Sequence, residues 1–216
     1  QAVNYAMDRR AMVILYGGSA IATPLCDMVP SSVPGHSPVC VYTKDAPQTR
    51  WLASDFQKAR GLVRQSGTVG QSVTVLTSTS SVETAMGNRL RDTLTQLGYH
   101  ASLRTLTPGV FFSYIQNSSN NMQIAIKSWA HDYPSPSNFL DTLFGCENFH
   151  PGSDSSINMS GFCNRDIQAL MDRATTDMSL SHVQRLDLWR EAGRQIMEQS
   201  PAAPMMEMSS VKIHSA

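Results

Sequence analysis

The sequence predicts an α/β fold, with a mixed, largely parallel sheet flanked by helices. The middle of the chain runs strand, helix, strand, helix, strand, an order that calls for crossover helices over parallel strands. The region after it turns helical, with apolar residues at 3.6-residue spacing. The 216 residues suit one large domain or two small ones and are enough for a real core.

Each element has a local reason. "QAVNYAMDRRAMVILY" (1–16) has helical apolar spacing and is stopped by Gly17-Gly18. Residues 19–48 carry five prolines and read as irregular. "SDFQKARGLVRQSG" reads as a helix capped by Ser54 or Asp55 and ended by Gly67. "SVTVLTS" is a β-branched strand. The next helix opens with a Ser80–Glu83 capping box and aligns Val82, Met86, Leu90, Leu94 and Leu97. "HASLRTL" is a second strand, "PGVFFSYIQN" a short helix started by Pro108, and "MQIAIKSW" a third strand. Two closing helices align Ile167, Leu170, Met171 and Ala174, then Val183, Leu186, Trp189, Ala192 and Ile196. "PAAPMMEMSSVKI" is a final extended segment.

Composition excludes several function classes. The 17 basic and 17 acidic residues balance, so nothing favours nucleic acid or an anionic membrane surface. No apolar run approaches a membrane span. The six histidines are scattered, with no pair at i, i+4, and neither a G-x-S-x-G elbow nor an H-E-x-x-H helix occurs. No metal, no cofactor and no enzyme activity are therefore expected. The four cysteines fall into two local couples, Cys26 with Cys40 and Cys146 with Cys163, each bracketing a polar loop. Four unrelated buried thiols are the competing reading. Two staples are favoured, each worth roughly 3 kcal/mol, which places the protein outside the reducing cytosol.

The stretch "WAHDYPSPSNFL" (129–140) is the main functional candidate. It sets Asp132 between aromatics just after an apolar strand. A carboxylate there can be a turn residue, a helix cap or a ligand clamp. The turn reading has Asp132 bonding nearby backbone N–H groups ahead of Pro134. Trp129 reads as a cleft wall or as core packing. His131 reads as solvent-facing or structural, and Ser137 and Asn138 as caps of the helix starting "SNFLDTLF".

Taken together, these stretches resemble the C-terminal lobe of the family 5 extracellular solute-binding proteins, the peptide-binding components of bacterial ABC importers. "QAVNYAMDRRAMV" is similar to the family's opening helix, and "WAHDYPSPSNFLDTLF" to its motif W-x-x-D-Y-x-x-P-x-x-F-L. "SDFQKARGLVRQSG", "VETAMGNRLRDTLTQLGYHASLRTL", "FCNRDIQALMDRA" and "RLDLWREAGRQIMEQSPAAPMM" follow in the family's order over nearly the whole chain. The resemblance implies one lobe of a two-lobed, periplasmic-binding-protein-like (class II) fold, with residues 1–216 a single lobe and its partner lobe outside this chain. It implies a peptide ligand whose ammonium is clamped by Asp132, with Trp129 and Tyr133 beside it, and an ABC permease as partner. It further implies a monomer located outside the cytoplasm, held at the membrane only through an N-terminal lipid anchor that this chain lacks. The absence of an initiator Met and of a signal sequence fits an excised piece. The Cys146–Cys163 couple also resembles a loop disulfide of dipeptide-binding relatives; Cys26–Cys40 rests on spacing alone. The rival readings are a family member for nickel chelates or oligosaccharides, a hydrolase lobe, and an extracellular interaction module.

Overall fold

In the computed structural model, which describes residues 1–209, the expected middle of the chain forms a three-stranded parallel sheet. Strand β2 (Ser72–Ser78) lies between β3 (His100–Leu106) and β4 (Ile124–Ala125). Helix α4 (Ser81–Leu97) makes the crossover from β2 to β3, and α5 (Pro108–Gln116) the crossover from β3 to β4. The Ser80 hydroxyl caps α4 by accepting from Glu83 N. Glu83 does not reach back to Ser80, as a full box requires; its carboxylate takes the N–H of Ser78 instead, at 3.1 Å. Met86, Leu90, Leu94 and Leu97 are buried as expected. Gly87 lets α4 sit tightly on the sheet, since a Cβ there would lie 2.7 Å from both Leu103 Cδ1 and Thr77 Cγ2.

Strand β4 is much shorter than the sequence suggests. Only Val75↔Ile124 and Leu76↔Ala125 pair, followed by one bond from Ile126 N to Leu76 O at 2.9 Å. The reason lies in the donors that β2 offers on that side. Thr74 N–H goes to the side chain of Gln123 (3.1 Å), and Ser78 N–H to Glu83. With alternate β2 donors diverted to side chains, the ladder stops at both ends.

The first helix also differs. It is two helices, α1 (Ala2–Ala6) and α2 (Arg9–Tyr16), broken at an extended Met7. Asp8 caps α2 by accepting from Ala11 N at 3.0 Å; an acid is a better cap than interior residue. Gly17, at φ +137°, ends α2. The proline-rich stretch contains β1 (Ala22–Pro24), which pairs antiparallel with β5 (Met206–Met208). The part of the final extended segment beyond Ser209 lies outside the described residues.

Helix α3 (Phe56–Gln65) is capped by Asp55, and α6 spans Leu140–Phe144. Helices α7 (Arg165–Thr176) and α8 (His182–Gln199) pack on each other. Their stripes bury Ile167, Met171, Ala174, Trp189, Ala192 and Ile196 around Phe139 and Leu140, whereas Val183, in the first turn of α8, stays 63% exposed. Both cysteine couples are disulfides, Cys26–Cys40 and Cys146–Cys163. Among the described residues no helix is long and apolar enough to cross a membrane.

Candidate functional site

The three parallel strands end at one edge, β2 at Ser78, β3 at Leu106 and β4 at Ala125. In α/β sheets this carboxyl edge is where ligands meet the fold. The chain leaving β4 carries Lys127, Trp129, Asp132 and Tyr133 there. Because β4 stops early, Asp132 does not sit directly on a strand end, as the sequence suggested. It lies in a bend ahead of the 3-10 turn Pro136–Asn138.

What holds this bend is Asn138. Its side chain is 2% exposed, the lowest of the polar groups in this segment. Its Oδ1 accepts from the Trp129 indole N–H at 3.1 Å and from Asp132 N–H at 3.3 Å. Its Nδ2 donates to Asp132 Oδ2 at 3.4 Å. One amide thus orients the indole, the backbone and the carboxylate together. The expected capping roles are not observed. Phe139 is the N-cap of α6 and offers no side-chain cap, and Ser135, not Ser137, caps the 3-10 turn. Asn138 was hidden in the sequence because its three partners meet only after the chain folds back; a polar residue directly before the buried pair Phe139-Leu140 was the available signal.

Asp132 is exposed, and its carboxylate accepts from no backbone N–H among the described residues. The turn reading required such a bond. Asp132 also makes no ion pair there. Trp129 is half-buried: one side packs on the cluster containing Phe139, Leu140 and Trp189, and the other remains at the surface. Tyr133 is 49% exposed and its hydroxyl accepts from Ser137 Oγ at 3.5 Å. The exposed His131 leans on Phe139 with ring centroids 5.8 Å apart, a structural contact. A separate concavity of about 690 Å³ lies between α2, β1 and Arg50–Leu52, and none of the "WAHDYP" side chains lines it.

The carboxyl edge of the parallel sheet thus carries a half-buried Trp129 and an exposed Asp132 that has no ionic partner among the described residues. The solved structure of clavulanic acid biosynthesis oligopeptide binding protein 2 superposes with a TM-score of 0.82 at 20% identity, over 94% of this chain and 37% of that one, and so shares the fold. The model of the bacterial extracellular solute-binding proteins, family 5 (middle region), matches residues 1–151, and the chain belongs to that family. That family is one of solute-binding proteins, not of enzymes. Di/tripeptide-binding protein 4 of Pseudomonas aeruginosa is 25% identical over 202 residues, 91% of this chain and 35% of the relative. The peptide transport periplasmic protein SapA of Haemophilus influenzae is 24% identical over 121 residues, 56% of this chain and 20% of the relative. The chain therefore spans about a third or less of the length of these relatives.

Proposed function

We propose that this chain is the C-terminal lobe of a two-lobed receptor that captures peptides outside the cytoplasm for an ABC importer. In this reading Asp132 clamps the peptide ammonium, and Trp129 and Tyr133 form the wall beside it. The observation that carries the proposal is the Asp132 carboxylate, oriented by the buried Asn138 amide yet without a cationic partner among the described residues. A fixed acid of this kind suits an ammonium, through a charge-assisted bond about twice as strong as a neutral one. It gives no advantage to a sugar or an anionic chelate. The names of the relatives, peptide transport in one and di/tripeptide or oligopeptide binding in the other two, support the same ligand class. The permease is the partner, the receptor is monomeric, and any membrane attachment is through a lipid anchor beyond these residues.

The test is Asp132→Asn in the two-lobed protein, with calorimetry on free and N-acetylated peptides. Shape is kept and charge is lost. Removing one member of a desolvated charge pair costs about 2–5 kcal/mol, roughly 30-fold to several thousand-fold in affinity. Free peptides should lose that much and acetylated ones little. Equal losses for both would place the ammonium elsewhere.

A further inference from the structure

Gly35, near the end of the Cys26–Cys40 loop, is buried and holds φ +93°, a conformation that side chains of L-residues rarely adopt. Its place is tighter than the backbone turn alone demands. A Cβ there would lie 2.6 Å from Pro136 Cγ and 3.7 Å from Leu186 Cδ2. The loop backbone is therefore wedged between α8 and the 3-10 turn Pro136–Asn138, which ends in the amide that orients Asp132. Loop and bend also share a core. Val29 and Val33 of the loop cluster with Phe139 and Leu140, and Trp129 packs against the same cluster. The loop is held from within and from outside. Asp27 accepts from Met28 N and Ser37 N, Val33 N donates to Pro30 O, and His36 N to Val33 O. Glu207 of β5 accepts from both the N–H and the hydroxyl of Ser31 at 2.7 Å, and the disulfide closes the ends. A segment bonded in this way moves as one piece, and close packing passes a displacement at one face to the other. The Pro136 ring cannot swing aside as a long side chain would.

We infer that Gly35 is a positioning residue for the Asp132 site. The space left by its missing side chain sets how closely the Pro136–Asn138 turn seats on the Cys26–Cys40 loop and, through Asn138, where the carboxylate points. The inference rests on the reading of Asp132 as an ammonium clamp and deepens it. Gly35 acts through Pro136 and Asn138 and not by contact with the ligand. Such a coupling is reciprocal. A ligand that fixes the Asp132 bend must also hold the loop in place. Cys40 is 0% exposed, so a dithiol reaches the Cys26–Cys40 bridge only when the loop opens.

The test uses the two-lobed protein and a tripeptide library, with its N-terminus free or acetylated, titrated by native mass spectrometry. Wild type should prefer the free library. Gly35→Ala should reduce that preference on the order of tenfold, the partial loss of one charge-assisted bond, and leave the affinity for the acetylated library unchanged. It should also lower the melting temperature, because alanine is strained at this φ. Combining it with Pro136→Ala separates the two effects. Removing the ring makes room for the new methyl group, so the preference should return while the melting temperature stays low. A second measurement needs no variant and stands even if Gly35→Ala does not fold. Wild type is reduced with dithiothreitol, and the two disulfides are followed separately by mapping the trapped thiols. The free library should slow reduction of Cys26–Cys40 about tenfold more than that of Cys146–Cys163, and the acetylated library at equal occupancy should not. Three results overturn the inference and leave the Asp132 reading intact: a less stable Gly35→Ala that keeps the full preference, a lost preference that Pro136→Ala does not restore, or equal protection of both disulfides. If wild type binds free and acetylated libraries equally, the Asp132 reading fails and this inference falls with it.

Discussion

Arg9 and Asp132 both belong to the motifs that made the chain recognisable, and the fold treats them in opposite ways. Arg9 is 0% exposed. Its guanidinium donates to the carbonyls of Leu25 (3.0 Å), Pro204 (2.9 Å), Asn4 (3.1 Å) and Tyr42 (3.3 Å), and to Asn4 Oδ1 (3.1 Å). It meets no carboxylate among the described residues, and burial lowers its pKa to about 10. Asp132 is exposed, and among the described residues its carboxylate carries a single long hydrogen bond, from Asn138 Nδ2 at 3.4 Å. A charge whose bonds are all made internally fixes structure, as Arg9 does where α1, the Cys40 loop and the returning chain meet. A charge left unmatched on a rigid support is available to a ligand.

The largest expected effect breaks this comparison at its structural end. Arg9→Lys should destabilise the fold by about 3–5 kcal/mol, because an ammonium cannot reproduce the planar fork and each buried carbonyl left without a donor costs about 1–3 kcal/mol. Urea unfolding measures it. Asp132→Asn should leave the same unfolding curve nearly unchanged. A neutral Arg9→Lys would mean that the carbonyls find other donors and that full burial was a poor guide to role.

Asn138 stands between the two, buried like Arg9 but serving the exposed site. Asn138→Ala strands the indole N–H and releases the Asp132 carboxylate. We expect a stability loss of about 1–3 kcal/mol, smaller than for Arg9→Lys, together with weaker binding of free peptides. Loss of stability with unaltered peptide affinity would show that the bend keeps its shape without the amide, and that Asp132 is oriented by other means.

How much of this was legible follows the range of the interactions. β2 and α4 were readable to within a residue because their signals, β-branched alternation and a Ser80 cap over an apolar stripe, are local. The break between α1 and α2 was written in Asp8, but a helical pattern on both sides concealed it. The length of β4 was not readable, since it depends on Gln123 and Glu83 side chains intercepting the donors of β2. β1 could not be found from three residues ending in proline, whose partner lies at the far end of the chain. Asp132 stood out in the sequence by its neighbours. Asn138 was read only as a helix cap, because its real role depends on which groups it meets in space.

The smallest expected effect tests the middle of the comparison, a buried acid whose bonds are made but whose burial still dominates. Asp27, inside the Cys26–Cys40 loop, is 4% exposed. It accepts from Met28 N at 2.8 Å and Ser37 N at 2.7 Å, and His36 Nδ1 lies 3.5 Å from its Oδ2. Burial pushes its pKa above the ordinary 3.8, against the pull of the Ser37 N–H, His36 and the Met28 N–H. The folded protein therefore holds this proton at pH values where the unfolded chain has released it. Stability from Asp27 is present in full below its ordinary pKa and is lost as pH rises through the folded value. The slope from one group cannot exceed about 1.4 kcal/mol per pH unit. Asp27→Asn cannot ionise, and its amide faces the Ser37 N–H, so the variant carries a constant penalty. The gap in melting temperature between wild type and variant should nevertheless narrow as pH rises from about 4 to 6, whatever the other carboxylates contribute. A gap that stays fixed over that range would mean the three hydrogen-bonding and charge partners offset burial fully, placing Asp27 beside Arg9 as a satisfied structural charge.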